Sequence, residues 1–184
     1  MKNPVTAIRL PLRPGREYES RFDREQSLFR MLAIPIASVV LASMITTLPI
    51  LTAQPILPPF GFLMFLSWRL MRPGLLPVWS GVPFGLMDDL FSGQPFGSAG
   101  LLWALTMLAI EVIDSRAMWR DYLQDWLIAS LLIVAVLLGG LWISGLAHAA
   151  PSPVVLLPQI ALSILLYPLV VRICARLDSW RLAT

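Results

Sequence analysis

The chain has 184 residues, of which 57% are apolar and only 14% are charged. Soluble domains have about 45–50% apolar and about 25% charged residues, so this composition excludes a disordered chain and disfavours a soluble globular one. The net charge of +3 would suit a nucleic-acid-binding protein, but the sequence has no platform of aromatic and basic residues for bases. We therefore predict a membrane protein that contacts lipid and binds no nucleic acid.

A single cysteine and a single histidine narrow the possible chemistry. They exclude an internal disulfide, a Cys/His zinc cluster and a two-histidine haem site. Cys174 lies in an apolar run and is expected to be a small buried or lipid-facing residue, and His148 is expected in a solvated loop. Since nucleotide-binding motifs and metal-binding carboxylate clusters are also missing from the sequence, we predict no cofactor, no metal and no enzymatic activity.

Three regions are predicted along the chain. Residues 1–30 form a polar cytoplasmic arm with seven basic and four acidic residues. Within it, residues 17–30 are either a short amphipathic helix on the membrane surface or a solvated tail. Residues 31–178 form a six-helix transmembrane domain, and 179–184 a cytoplasmic tail.

The six apolar segments set the fold class, since a membrane-crossing helix needs about 20 mostly apolar residues. We predict an all-α integral membrane protein with transmembrane helices at about 31–53, 57–71, 74–91, 96–113, 125–146 and 154–175. The first, fifth and sixth segments are strongly apolar. The second is short, and the third is interrupted by proline, glycine and aspartate.

The basic residues orient these helices. Of the 14 Lys and Arg residues, seven are in the arm, two near 69–72, two near 116–120 and three near 172–181. The outer loops near 54–56, 92–95 and 147–153 have none. Because cytoplasmic loops are rich in Lys and Arg, both termini are predicted to be cytoplasmic.

Aromatic residues beside the inner loops are interpreted as rings at headgroup depth. They are Trp68, Trp119, Tyr122, Trp126 and Trp180. Met118 shares one helical face with Tyr122 and Trp126, so the loop before the fifth helix is predicted to form a short interfacial helix.

The third segment has an unusual face, since Gly81, Gly85 and Asp88 recur at helical spacing. Small residues four apart let another backbone approach closely, so this is predicted to be a contact face, either within the bundle or with a partner helix. Pro83 lies between the glycines and frees backbone groups that a neighbouring helix would have to cover.

Three hypotheses are open for Asp88 and Asp89. They cap the end of the third helix and face water, or one is buried and paired with a polar group or with helix N-termini beside an outer cavity. The third, a catalytic aspartyl dyad, is disfavoured because neighbouring helix residues point roughly 100° apart.

Other polar residues are expected to hold the bundle together. Glu111 and Asp114 are predicted to form a surface ion pair with Arg116. Gln159 and Ser163 form a polar strip on the sixth helix, where hydrogen bonds between helices are a better explanation than a ligand site.

The outer end of the third span has Gly85, Leu86, Asp89, Gly93, Pro95 and Gly97 in the pattern G-L-x-x-D-x-x-x-G-x-P-x-G. This pattern resembles the one at the same place in the rod shape-determining protein MreD family. The Arg72-Pro73 pair and the proline in Leu165–Leu169 also match, and the resemblance covers about 31–178. Asp89 occupies the family's aspartate position, but the additional Asp88 leaves open which acid is functional.

The resemblance implies a component of the bacterial inner membrane that helps maintain rod shape by organising lateral peptidoglycan synthesis. Its partners would be a bitopic MreC-type protein, an MreB-type filament and wall-synthesis enzymes. The implied fold is similar to the substrate-binding subunits of vitamin transporters. Partner-binding or structural roles are expected for Gly81, Gly85, Asp88, Asp89, Gly93, Pro95 and Gly97. The alternative is a small-molecule-binding membrane subunit of an importer.

Overall fold

The computed structural model describes residues 21–45, 57–93, 95–116, 121–147 and 152–183, and every regular element in these ranges is helical. The α-helices are α1 (Arg21–Met44), α2 (Phe60–Met71), α3 (Gly81–Ser92), α4 (Ser98–Arg116), α5 (Tyr122–Ala147) and α6 (Leu157–Ala183). Short 3₁₀ turns precede α3 (Val78–Ser80) and α6 (Pro153–Leu156). The all-helical prediction and the order of the six helices are confirmed.

Several helices extend beyond the predicted apolar segments. Helix α1 begins at Arg21 instead of residue 31, and α6 continues to Ala183. Hydropathy identifies only the apolar part of a helix. Polar residues with high helix propensity, such as Glu, Gln and Arg, extend the helical backbone beyond that part. Residues 21–30 are therefore continuous with α1 and do not form a separate surface helix, and residues 17–20 lie outside the described ranges.

Helix α5 also begins earlier than predicted, at Tyr122 instead of residue 125. Tyr122 and Trp126 belong to the first turns of α5, so no separate interfacial helix includes them. Met118 and Trp119, the other members of that prediction, lie outside the described residues.

Three of the helices, α4, α5 and α6, are long and apolar enough to cross a membrane. The apolar part of α1 (Leu32–Met44) and the whole of α2 are shorter. Helix α3 has 12 residues. Such a helix is roughly 18 Å long, less than the hydrocarbon thickness of about 30 Å. Helices this short depend on neighbouring helices to cover their ends.

Helix α2 forms the centre of the bundle, since nine of its 12 residues are buried. It packs against α1 and α6, and its aromatic side chains reach α3 and α4. The Phe65 ring stacks on Trp103 with 5.0 Å between ring centres, and the Phe84 ring lies 5.7 Å from Phe65. Protein surrounds α2 on most sides, which explains how a short helix is stable here.

Trp68 is fully buried in this centre, so its ring contacts protein and the prediction that it lies among lipid headgroups is wrong. Its indole nitrogen donates a 2.8 Å hydrogen bond to the Ser38 hydroxyl, which in turn donates to the Pro35 carbonyl at 2.8 Å. The bond joins α2 to α1. By contrast, Tyr122 and Trp180 are exposed, as expected for interfacial aromatics.

The helix ends gather in two groups. Ion pairs connect the C-terminal ends of α2, α4 and α6, and we call this group the Arg69 end. The N-terminal ends of α2 and α6 meet through a hydrogen bond from Gln159 to the Leu57 carbonyl. The end of α3 lies on the same side, because Asp88 is next to Gly61 at the start of α2, and α4 begins beside Asp89. We call this group the Asp89 end.

Candidate functional site

The two glycines of α3 lie directly against the backbone of α4. A Cβ atom added at Gly81 would lie 2.7 Å from the Trp103 carbonyl oxygen, and one at Gly85 would lie 2.5 Å from that of Ala99. The paired positions run in opposite directions along the two helices, so the helices are antiparallel. The glycine face is therefore an internal contact of the bundle.

Asp89 lies one turn beyond Gly85 on the same side of α3 and is only 4% exposed. Its carboxylate accepts hydrogen bonds from the first residues of α4. The donors are the backbone N–H groups of Gly97 (2.8 Å), Ala99 (3.0 Å) and Gly100 (3.4 Å), and the Ser98 hydroxyl (3.0 Å). The first N–H groups of a helix have no partner within that helix, and the helix dipole favours a negative charge beside them. Asp89 therefore caps α4 from a neighbouring helix.

The turn between α3 and α4 brings these donors back towards Asp89. Gly93 and Gly97 have positive φ angles of 66° and 95°, a backbone region that favours glycine. The Pro95 carbonyl accepts the Ser98 N–H at 3.0 Å, which closes the turn into α4. The side chain of Leu86 lies against Gly100. The G-L-x-x-D-x-x-x-G-x-P-x-G segment thus forms one structural unit of two close helices and the turn between them.

Asp88 faces a different part of the bundle. Its Oδ1 atom is 2.9 Å from the position that a Cβ atom would take on Gly61, and Ser43 lies at the same place. Asp88 is half-buried between α3, α1 and α2, whereas Asp89 faces α4. The spacing argument assigned Asp88 to the glycine face, but the structure places Asp89 there.

Arg69 is the charged centre of the opposite end of the bundle. It is 3% exposed, and its Nη2 atom lies 2.7 Å from a carboxylate oxygen of Glu111 and 3.2 Å from one of Asp114. The predicted ion pair of these two acids with Arg116 is therefore wrong, because both pair with Arg69. The partner comes from α2, 42 residues before Glu111, so local sequence cannot show it.

A second ion-pair group joins α2 to α6. Arg72 and Arg181 each lie 2.6 Å from a carboxylate oxygen of Asp178, and the Arg181 guanidinium is 5.8 Å from the centre of the Trp68 ring. Asp178 was not singled out from the sequence. Its position, as an acid three residues before a basic one at the end of an apolar helix, is the signal that could have found it.

The remaining candidates have local roles or lie outside the described ranges. Gln159 donates a 2.6 Å hydrogen bond to the carbonyl of Leu57, which precedes α2, and Ser163 donates to the Gln159 carbonyl within α6. The strip therefore ties α6 to the segment before α2, and neither bond is the predicted one between two helices. Cys174 is buried, with its sulfur 3.0 Å from that of Met64. Gln94 and His148 are not among the described residues.

The chain matches a known protein family. The family model of the rod shape-determining protein MreD matches residues 25–177, most of the chain. No curated protein and no solved structure matches, so the expected likeness to vitamin-transporter subunits stays a prediction. The matched range contains α3, α4 and the turn between them, together with α2, whose Arg69 forms ion pairs with α4. The chain therefore belongs to the rod shape-determining protein MreD family.

Proposed function

We propose that the chain is a non-enzymatic scaffold of the bacterial cell-elongation machinery. It spans the inner membrane several times, with both termini in the cytoplasm, and it organises lateral peptidoglycan synthesis. Membership of the family implies a role in rod shape determination. The three long apolar helices support a location in the membrane.

The observation that carries this proposal is the structural role of Asp89, the aspartate of the family pattern. The Asp89 carboxylate caps α4 with several hydrogen bonds, so its role is to fix the angle between two helices. A hydrolytic dyad would need two carboxylates converging on one water, but Asp88 faces α1 and α2 instead. A rigid bundle held at both ends is what a scaffold needs.

The importer alternative needs several polar side chains that converge at the Asp89 end. The sequence offered Asp88, Asp89 and Gln159 for this role. Asp89 binds the start of α4, and Gln159 binds the Leu57 carbonyl, so only Asp88 could face a ligand. The geometry favours the scaffold.

The partners of the scaffold are a bitopic MreC-type protein, an MreB-type filament and wall-synthesis enzymes. A bitopic protein would pack its single transmembrane helix on the lipid-facing surface, where α4 and α5 expose large apolar side chains. These include Leu101, Leu105, Leu108, Leu127 and Leu131. Helices associate in lipid through such close packing.

Co-purification from membranes tests this function. The tagged full chain should retain a bitopic membrane protein, and cells that lack the chain should become round. Retention of a transport ATPase, together with loss of uptake of a small molecule in rod-shaped cells, would support the importer alternative instead.

Reporter fusions test the proposed topology. An enzyme that is active only outside the cytoplasm should work when fused after Gln94 or His148. It should fail after Arg72, Arg120 or Thr184, because every Lys and Arg residue lies in the segments assigned to the cytoplasm. Activity of the fusion at Arg72 would contradict the six-span arrangement.

A further inference from the structure

An apolar groove of about 380 Å³ lies between α1, α2 and α6, beside the C-terminal end of α6. None of the described residues that line it belongs to the family pattern or to the ion pairs at the Arg69 end. Its volume falls within the roughly 300–1,000 Å³ of ligand-binding sites. We call it the α1–α6 groove, and its two sides are formed by Ile34, Ala37, Leu41 and Ile45 and by Leu177 and Trp180.

The groove has about the length of one lipid acyl chain. Ile34 and Ile45, at its two ends, are 11 residues apart, which is roughly 16 Å along a helix. Each leaflet of a bilayer contributes about half of the roughly 30 Å hydrocarbon core. Leu41 on the α1 side is exposed, so a chain could enter the groove from the surrounding lipid.

The wall of the groove favours an apolar occupant. Ser38 lies at its base, but the Ser38 hydroxyl already donates to the Pro35 carbonyl and accepts from the Trp68 indole. Apart from the Trp180 indole at one end, the rest of the described wall consists of alkyl groups and the Met64 thioether. A polar ligand would lose its hydration there without gaining hydrogen bonds, whereas an acyl chain would lose nothing.

Two arginines beside the groove suit a negatively charged headgroup. Arg172 and Arg176 precede Trp180 at four-residue spacing, so the three residues share one stripe of α6. Both arginines are exposed, and neither forms an ion pair with a described residue, because Asp178, the acid of α6, is engaged by two other arginines. Guanidinium groups bind phosphate oxygens in a bidentate way, and tryptophan rings favour headgroup depth. The stripe therefore suits a phosphate group at one end of the groove.

We propose that the α1–α6 groove holds one acyl chain of an anionic phospholipid and that Arg172 and Arg176 bind its phosphate. Basic residues near the membrane surface attract anionic lipids. A partner's transmembrane helix is a less suitable occupant, since in the proposed topology it would bring its own basic cytoplasmic flank to these arginines. The lipid site is separate from the α4–α5 surface proposed for the bitopic partner, and it does not depend on the scaffold function.

Native mass spectrometry of the purified full chain tests the headgroup. The protein is incubated with equal amounts of a phosphatidylglycerol and a phosphatidylethanolamine that have the same acyl chains. We expect the wild-type chain to retain the phosphatidylglycerol preferentially. Arg172→Gln and Arg176→Gln should each lower this preference about fivefold, because each removes one charge beside the phosphate. Arg116→Gln is the matched control, since Arg116 is an exposed arginine at the end of α4, away from the groove, and it should keep the preference.

A groove-filling variant tests the position of the acyl chain. Ala37→Phe places a ring in the groove at an exposed position of α1, so the fold should tolerate it. It should lower the affinity for phosphatidylglycerol about tenfold, which corresponds to about two methylene groups that are no longer buried. Ala161→Phe makes the same change at an exposed position of α6 outside the groove and should bind the lipid like the wild type.

Four results would overturn the proposal. Equal retention of both lipids by the wild-type chain would show that the arginines select no headgroup. An equal loss in Arg116→Gln and Arg176→Gln would assign the preference to general surface charge. If Ala37→Phe binds phosphatidylglycerol as well as Ala161→Phe does, the lipid lies outside the groove. A photo-crosslinker at Leu41 that captures a second copy or another protein in cells, and no lipid, would assign the groove to a protein helix.

Discussion

The Asp89→Asn variant is expected to lose about 2–4 kcal/mol of unfolding free energy and to accumulate poorly in the membrane. The carboxylate accepts three backbone N–H groups and one hydroxyl at the start of α4. Asparagine has one acceptor oxygen, and its amide group would point N–H donors at other donors. It also loses the charge that interacts with the helix dipole. Unfolding in detergent and immunoblots of membranes would measure both effects.

Asp88→Asn is the matched control, because it makes the same change at the neighbouring residue, whose carboxylate does not cap α4. Its effect should be clearly smaller. Ser98→Ala removes one of the donors to Asp89 and should cost about 1 kcal/mol. Wild-type stability and abundance of the Asp89→Asn variant would show that the cap does not stabilise the bundle.

The role of Asp89 could have been predicted from the sequence. The four-residue spacing of Gly81 and Gly85 continues to Asp89, so the same helical stripe carries all three. Helix α4 has no acidic residue in its first turn, and it follows a Gly-x-Pro-x-Gly turn. A helix that has no acid in its own first turn and begins nine residues after Asp89 indicates a cap supplied by another helix.

The position of α2 could not be predicted from hydropathy. Lipid and protein interior are both apolar, so the apolar pattern that identifies a membrane helix does not tell which faces are covered by protein. Trp68 and Arg69 look like residues of a membrane surface because they precede a basic loop. In the structure both are buried, and their partners Ser38 and Glu111 come from helices that are distant in sequence.

The number and order of the helices could be predicted because each helix has its own apolar segment, and turn-forming residues separate one segment from the next. The ion pairs that join α2 to α4 and α6 could not, because each joins residues tens of positions apart. Arg72 and Asp178 are separated by 106 residues, and no local pattern marks them as partners. Charged side chains within a membrane protein need partners, and the packing of the helices determines which residues pair.

Gly85→Ala should destabilise the bundle by about 2–3 kcal/mol, although alanine is the better helix former by roughly 1 kcal/mol. The added Cβ would lie 2.5 Å from the Ala99 carbonyl oxygen and 2.6 Å from its carbonyl carbon. These are backbone atoms of α4 and cannot rotate away, so the two helices must separate. That separation would also move the start of α4 from Asp89. We expect lower abundance in the membrane, a lower unfolding temperature in detergent and rounder cells, and Gly85→Leu should be worse.

Gly139→Ala gives the matched control, since it makes the same change in a membrane helix at another close contact. There the added Cβ would meet Cδ2 of Leu102 at 2.6 Å, the far end of a flexible side chain that can change rotamer. This variant should therefore stay close to the wild type in stability and abundance. If Gly85→Ala behaves like Gly139→Ala, α3 and α4 are not in backbone contact in the membrane, and the capping of α4 by Asp89 would have to be abandoned with it.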